Sequence, residues 1–172
     1  APASTTARTP LPGLDWKGPG GGDQPEVVIN PWSGRAIKNW PATHYADLIR
    51  DLQSSKNASI AITGDTPGAQ DETREMLADL PGVTDLGKRL PFGELANALC
   101  GADLYIGNDS GTTHLAAMLG VPTLAIMSGD VDAEVWRPIG ERAIVLKGDI
   151  ACAPCFLNAL KRCPNAHACM TQ

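Results

Sequence analysis

The chain has 172 residues, of which 43% are hydrophobic and 19% charged, and its formal net charge is −5. These values are typical of a soluble globular protein and argue against a nucleic-acid binder, because the Lys and Arg residues are scattered rather than gathered into a basic face. No apolar run approaches the roughly 20 residues that a membrane-spanning helix needs. The first twelve residues also lack the apolar core of a secretory signal, so we expect a cytoplasmic protein.

The chain begins with a segment that predicts no regular structure and continues with alternating strands and helices. Residues 1–25 are rich in Pro, Gly, Ser and Thr, which predicts a flexible linker or tail. Apolar and β-branched runs predict strands at 27–29, 58–63, 83–86, 103–107, 122–127 and 143–146. Helices are predicted at 43–54, 71–80, 92–100 and 110–119, the first of them with Thr43 as its N-cap. Such alternation over 26–150 predicts a Rossmann-like open parallel sheet with helices on both faces.

The predicted turn between the strand 103–107 and the helix 110–119 is the first candidate site. The first turn of a helix exposes unpaired backbone N–H groups and the positive end of the helix dipole, which suit a phosphate. Gly111 would let an anion approach the backbone, and further donors are expected from Ser110, Thr112, Thr113 and His114. Asp109 would repel a diphosphate at short range, so we expect it to shape the loop or to bind a sugar hydroxyl. The same residues also suit a plain capped turn.

Two other loops follow strands and should lie on the same edge of the sheet. The loop 30–41 brings two cations, Arg35 and Lys38, and Lys38 could compensate the charge of a diphosphate; a solvated lysine is the alternative. The loop 128–136 has three carboxylates, which could bind a metal or sugar hydroxyls or simply form a polar loop, and Trp136 is expected as a packing anchor.

The segment 151–172 is rich in cysteine and poor in large apolar residues, so we do not expect a further strand–helix unit there. Its four thiols belong to Cys152, Cys155, Cys163 and Cys169. Four thiolates are the number that a tetrahedral Zn or Fe site takes, and metal binding would order a segment that has little core. Two disulfides or free thiols are the alternatives, and any metal would be structural.

Three elements of the sequence together resemble glycosyltransferase family 9, the lipopolysaccharide heptosyltransferases. The run from Asp103 to Thr123 resembles the core of the family, residues 38–41 match its Lys-x-Trp-Pro element, and residues 132–138 match its Asp-x-x-x-Trp-x-Pro segment. The resemblance covers about residues 26–146. Two departures are Thr112-Thr113, where the family has Pro or a larger residue near 112, and 127–130, where it has Phe-Gly-Pro-Thr. The second departure touches the edge of the donor pocket.

The resemblance implies an enzyme of two Rossmann-like domains (the GT-B fold), with this chain as the C-terminal, donor-binding half. It implies inverting transfer of a heptose from an ADP-activated donor to the lipopolysaccharide core, without a catalytic metal or other cofactor, at the inner face of the bacterial inner membrane. The diphosphate contacts carry over to Lys38 and to Ser110, Gly111, Thr112 and His114, with Asp109 in the same motif. The catalytic base and the acceptor site are expected in an N-terminal domain outside this chain. Autotransporter heptosyltransferases, which resemble this chain at the cysteines, carry a cysteine-bound iron.

Two other functions fit the same sequence. A binding module or subunit for nucleotide sugars would need no base of its own, so the encoding gene distinguishes it from a transferase by the presence or absence of an upstream α/β domain. A nucleotide-sugar epimerase would share the two-domain fold but fits the Lys-x-Trp-Pro element poorly.

Overall fold

A computed structural model describes residues 24–64, 71–87 and 90–171 of the chain. Within these ranges six parallel strands form one sheet, and helices cover both of its faces. This confirms the predicted Rossmann-like α/β fold. The predicted linker falls almost wholly on residues 1–23, which lie outside the described residues.

The elements alternate along the chain with bounds close to those predicted. The strands are β1 (Glu26–Asn30), β2 (Ser59–Ile62), β3 (Val83–Asp85), β4 (Leu104–Asn108), β5 (Thr123–Met127) and β6 (Ala143–Lys147). The helices are α1 (Ala42–Lys56), α2 (Asp71–Ala78), α3 (Phe92–Gly101), α4 (Gly111–Met118), α5 (Ala133–Trp136) and α6 (Ala168–Thr171). Short 3-10 helices span Ala36–Lys38 and Leu160–Arg162.

The strand order β3-β2-β1-β4-β5-β6 reverses direction between β1 and β4. The connections before and after this point leave the sheet on opposite sides, which opens a crevice beyond the carboxyl ends of these two strands. Asn30 ends β1 opposite Gly107 near the end of β4. Both candidate loops, 30–41 and 109–114, therefore start at this crevice.

Alternate residues of β1 pack into the two apolar layers of the core. Val27 and Ile29 join the layer under α1, and Val28 joins the layer under α3 and α4, because successive side chains of a strand point to opposite faces. All three are almost inaccessible to solvent. The site at the end of β1 thus stands on a strand that is buried from both sides.

The structure differs from the predictions at helix ends. Thr43 is not the N-cap of α1: the helix begins at Ala42 after Pro41, and no side chain caps it. Its other end closes on Asn57 in the left-handed conformation (φ 51°), as helix C-caps often do. The helix α5 was not predicted, because four residues are too few to show a helical period.

The cysteine-rich segment contains no strand in its described part, and its only regular elements are the 3-10 helix Leu160–Arg162 and α6. None of the helices in the described ranges combines the length and the apolarity that crossing a membrane requires.

Candidate functional site: a cleft at the ends of β1 and β4

A cleft of about 300 Å³ opens where β1 and β4 end. Its walls come from the loop after β1, the β4–α4 turn and α5, and its lining residues are Gly34, Arg35, Lys38, Asp109, Ser110, Gly111, His114 and Trp136. The cleft therefore lies at the reversal of strand order, where open α/β sheets usually bind ligands.

The β4–α4 turn is held by hydroxyl groups that bond within it. Ser110 is the N-cap of α4, and its Oγ accepts a hydrogen bond from the backbone N–H of Thr113 at 3.4 Å. The Thr113 hydroxyl is buried and donates to the carbonyl of Asn108. The Tyr105 hydroxyl lies 3.1 Å from the same Thr113 oxygen. These bonds fix the start of α4, whose first residue, Gly111, has open space beside it and lines the cleft.

Asn108 ties this turn to the loop after β1. Its side chain is fully buried. Its Oδ1 accepts hydrogen bonds from the Trp40 backbone N–H at 3.0 Å and from the Tyr45 hydroxyl at 3.1 Å, and its Nδ2 donates to the Pro31 carbonyl at 2.7 Å. Trp40 also packs edge-on against the Tyr45 ring, with 5.0 Å between ring centroids. One amide thus sets the position of the Trp-Pro element, and with it Lys38 two residues earlier.

Lys38 and His114 both face the Asp109 carboxylate. The Lys38 ammonium donates a hydrogen bond to Asp109 Oδ2, and His114 Nε2 lies 3.6 Å from Oδ1. The side chain of Asp109 is only 5% exposed and that of Lys38 15%. Asp109 therefore holds a lysine over the first turn of α4, rather than accepting backbone N–H groups of its own loop. An ammonium group has three N–H donors, so Lys38 keeps two for a ligand.

A second ion pair, between Arg35 and Asp130, joins the loop after β1 to the loop after β5. Asp130 is buried, and its Oδ2 lies 2.7 Å from Arg35 Nη2 without accepting a hydrogen bond of good geometry. Its Oδ1 accepts a hydrogen bond from the Ser128 hydroxyl at 2.5 Å. The Arg35 side chain is 39% exposed and lines the cleft, so a buried carboxylate holds a partly exposed cation there.

Five of the seven residues predicted to bind a donor lie together in the cleft, namely Lys38, Asp109, Ser110, Gly111 and His114. The other two do not line it. Thr113 is buried and uses its hydroxyl inside the turn, and Thr112 is half-buried outside the cleft wall. Gly111 and His114 are three positions apart and so share one face of α4, which borders the cleft, whereas Thr112 and Thr113 lie on other faces. The structure adds Gly34, Arg35 and Trp136 to the lining. The sequence had shown Arg35 as a second cation of this loop, without assigning it to the donor.

The loop 128–136 is a polar loop rather than a carboxylate cluster. Asp130 forms an ion pair with Arg35, and Asp132 caps α5 by accepting a hydrogen bond from the Glu134 backbone N–H at 2.9 Å. Trp136 is 54% exposed, so the expectation that it anchors the packing was wrong. It forms a wall of the cleft instead.

The four cysteines of the cysteine-rich segment and Cys100 form no disulfide bonds. Burial raises the pKa of Cys169; a backbone hydrogen bond from Gly129 lowers it, and the charges of Cys163, Cys155 and Cys152 raise it further. Each of these three thiols therefore lies close enough to Cys169 to influence its ionisation. Within the described ranges, however, no three His, Cys, Asp or Glu side chains are grouped so that they could hold one metal ion.

Two buried tyrosines, Tyr45 and Tyr105, contact Asn108 and Thr113 of the β4–α4 turn. Burial raises the pKa of Tyr105 to about 12, against the opposing effect of hydrogen bonds from Thr113, Ser110 and Asn30. Burial also raises the pKa of Tyr45 well above its ordinary value. A Cβ at Gly107 would lie 2.5 Å from the Tyr105 hydroxyl oxygen, so the strand needs glycine there.

The family model of glycosyltransferase family 9 (heptosyltransferase) matches residues 4–165 of the chain. The chain belongs to this family. The match is wider than residues 26–146, over which the motifs of the sequence resemble it.

Individual relatives support this membership. A lipooligosaccharide heptosyltransferase 2 from Campylobacter jejuni is 30% identical over 140 residues, which are 78% of this chain and 42% of that protein. The E. coli heptosyltransferase WaaC, solved with ADP, is 26% identical with a TM-score of 0.65, over 73% of this chain and 38% of the other. The chain thus spans less than half the length of the family members that it matches.

A third comparison concerns the fold alone. The iron-containing dodecameric glycosyltransferase TibC of enterotoxigenic E. coli is 21% identical to this chain, with a TM-score of 0.66, over 91% of this chain and 43% of that one.

Proposed function

We propose that this chain is the donor-binding half of a heptosyltransferase that acts in lipopolysaccharide core synthesis. The donor is a sugar activated by a nucleoside diphosphate, ADP-heptose in the first instance. The observation that carries the proposal is the placement of Lys38 beside the open first turn of α4, in a cleft at the strand-order reversal. Family membership and the ADP named with the WaaC structure agree with it.

The charges of the cleft suit a diphosphate. The first turn of α4 offers backbone N–H groups and the positive end of the helix dipole, and the Ser110 cap orients them. The ammonium of Lys38 and the imidazole of His114 stand on the same side, both positioned by Asp109. Because Asp109 neutralises part of this charge, the site attracts an anion through oriented donors more than through net charge.

These groups would act on the leaving group of the transfer. As the bond between the anomeric carbon and the diphosphate breaks, negative charge grows on the diphosphate oxygens. Lys38 and the start of α4 stabilise that charge without a metal ion. A general base on the opposite face of the sugar takes the proton of the acceptor hydroxyl, which leads to inversion in a single displacement. We expect this base, and the lipopolysaccharide acceptor, in another domain of the protein, at the inner face of the bacterial inner membrane.

The loop after β5 is the place where this chain departs from its family. Ser128 and Asp130 are bonded to each other and to Arg35, where the family pattern has Phe-Gly-Pro-Thr. This exchange places a cation at the edge of the donor pocket. The sugar, rather than the diphosphate, is the part of the donor in which we expect this protein to differ from its relatives.

Calorimetry with ADP, AMP and adenosine tests the proposal. The chain should bind ADP, and Lys38→Ala should weaken binding about ten-fold or more, the loss expected for a charge-assisted hydrogen bond. Adenosine binding should change little, because it has no phosphate. Lys56→Ala removes the same charge from the exposed end of α1 and serves as the matched control.

Two outcomes would count against the proposal. Equal ADP affinity of the Lys38→Ala and Lys56→Ala variants would remove Lys38 from the site. No ADP binding by the unaltered chain would remove the nucleotide site itself.

The second candidate function is a nucleotide-sugar-binding module without a base of its own. The observation that favours it is that the one carboxylate among the cleft-lining residues, Asp109, is already bound by Lys38 and is poorly placed to take a proton. Transfer assays with ADP-heptose on the full product of the encoding gene distinguish the two. A module would bind the donor and leave it intact.

The cysteine-rich segment is proposed as a structural Zn or Fe site, held by Cys152, Cys155, Cys163 and Cys169. The chemistry of four thiolates supports this, and three of the thiols lie close enough to the fourth, Cys169, to raise its pKa. The described positions of the thiols do not form a ready ligand group, so binding would require them to move together, and no catalytic step depends on it. Elemental analysis of anaerobically purified protein tests the site, and protein free of Zn and Fe would exclude it.

A further inference from the structure

We infer that the cysteine-rich segment is a brace for the donor site, in which His167 positions Lys38 and the packing around Gly129 positions Arg35. Both cations of the cleft stand on the loop after β1, which the segment contacts at Ile37; at Gly129 the segment contacts the loop after β5, which supplies the carboxylate partner of Arg35. The inference rests on the proposed function, since it assigns a role in binding the same donor. It does not require a metal.

The first contact of the brace is on the Lys38 loop. The Nε2–H of His167 donates a hydrogen bond of 2.7 Å to the carbonyl of Ile37, across 130 residues of sequence. Ile37 is buried and lies in the middle of the 3-10 helix Ala36–Lys38. A bond to this carbonyl fixes the peptide group that joins Ile37 to Lys38, and so the direction in which the lysine leaves the backbone.

The second contact is on the loop after β5. The Cys155 backbone N–H donates to the Gly129 carbonyl at 2.8 Å. Packing here is close: a Cβ at Gly129 would lie 3.0 Å from the Ala153 Cβ and 3.5 Å from the Cys169 Cβ. The next residue, Asp130, is the buried partner of Arg35. The segment therefore packs against the loop that carries Asp130, the carboxylate partner of Arg35.

The segment is itself anchored, which a brace requires. Met170 of α6 is 3% exposed and belongs to the core layer under α1. Just before it, Ala166 and His167 have φ values of 47° and 62°, a conformation that residues other than glycine seldom adopt. The His167 backbone N–H lies 3.4 Å from Cys163 Sγ. This turn directs the His167 imidazole toward the Ile37 carbonyl, and its own position is fixed by the buried Met170.

The test compares His167→Ala with His167→Gln, whose amide can donate to the same carbonyl. His167→Ala should weaken ADP binding about ten-fold, similar to losing a well-placed hydrogen bond to the ligand, and His167→Gln should recover most of the loss. Adenosine affinity should stay unchanged in both variants. Lys161→Ala, at an exposed position of the same segment, is the matched control and should bind ADP normally.

Hydrogen exchange gives a readout that does not depend on nucleotide binding. Amides of residues 36–40 should exchange faster in His167→Ala than in the unaltered chain or in His167→Gln. If the unaltered chain binds no ADP, the proposed function fails while the exchange result still tests the brace. If it binds ADP and His167→Ala binds equally with unchanged exchange, the brace is wrong and the proposed function stands.

Gly148→Ala tests the brace from outside the site. A Cβ at Gly148 would lie 2.9 Å from the Cys169 carbonyl oxygen, so the segment must shift although no cleft residue is altered. ADP affinity should fall while the far-ultraviolet circular dichroism spectrum remains that of the folded chain. A folded Gly148→Ala protein with full ADP affinity would contradict the inference.

Discussion

The β4–α4 turn and the cysteine-rich segment both support the same cleft, but they are stabilised in different ways. The turn holds itself through bonds among Tyr105, Asn108, Ser110 and Thr113, residues that lie within nine positions of one another. The segment's own hydrogen bonds span only three or four residues each. Its place on the sheet is set by contacts with residues far away in the chain, at Ile37 and Gly129. The turn can therefore form wherever β4 and α4 form, whereas the segment takes its place only on a completed sheet.

The largest effect should come from Asn108→Ala, which breaks the link between the turn and the rest of the site. The substitution leaves the Trp40 N–H, the Tyr45 hydroxyl and the Pro31 carbonyl without their buried partner. We expect the free energy of unfolding to fall by about 3–5 kcal/mol, measured by urea denaturation.

Asn158→Ala is the control for this prediction, because Asn158 is exposed in the cysteine-rich segment. Its effect should stay within about 0.5 kcal/mol. A loss below about 1 kcal/mol for Asn108→Ala would mean that water replaces the amide and that the turn does not depend on this link.

A smaller effect is expected from Met170→Ala, which loosens the segment and spares the turn. Removing a buried methionine side chain should cost about 2–3 kcal/mol. The cost should appear mainly as local release, seen as faster proteolysis between residues 151 and 171, because the sheet does not need the segment in order to form. The same change at Met118, which is 75% exposed, should alter neither measurement. Loss of global cooperativity in Met170→Ala would show that the segment belongs to the main folding unit.

The smallest effect concerns pH and belongs to the turn. The ordinary pKa of tyrosine is 10.0 and burial raises that of Tyr105 to about 12, so the unfolded chain ionises first as the pH rises. The stabilising contribution is complete below pH 10 and is lost between about pH 10 and pH 12. Tyr105→Phe should remove this share of the alkaline destabilisation, about 1 kcal/mol between pH 8 and pH 11.

Urea midpoints at the two pH values measure this effect. The Tyr105→Phe variant should still lose some stability at alkaline pH, because the pKa of Tyr45 is also raised by burial. An identical alkaline loss with and without the Tyr105 hydroxyl would contradict the assignment.

Much of the fold and part of the site could be predicted from local patterns. Short apolar or β-branched runs located all six strands of the described residues. The central strands are buried from both sides and require such runs, whereas the edge strands β3 and β6 are more exposed. The capped turn before α4 could be predicted because its cap, Ser110, and its glycine, Gly111, stand next to each other in the chain. The role of Asn108 was missed, since its three partners are far away in sequence and a buried asparagine gives no periodic signal. Thr113 was assigned outward because a sequence does not tell which hydroxyl of a short helix faces inward.

The sequence by itself determined the strand and helix alternation, the family motifs and the choice of Lys38, Ser110 and Gly111 as candidate donors, because these depend on residue type and spacing. Only the tertiary structure decided that Lys38 meets Asp109, that Arg35 meets Asp130 and that His167 reaches Ile37. These contacts depend on the order of the parallel strands, which brings loops from distant parts of the chain to one edge of the sheet. Short-range sequence patterns do not indicate the order of the strands in the sheet.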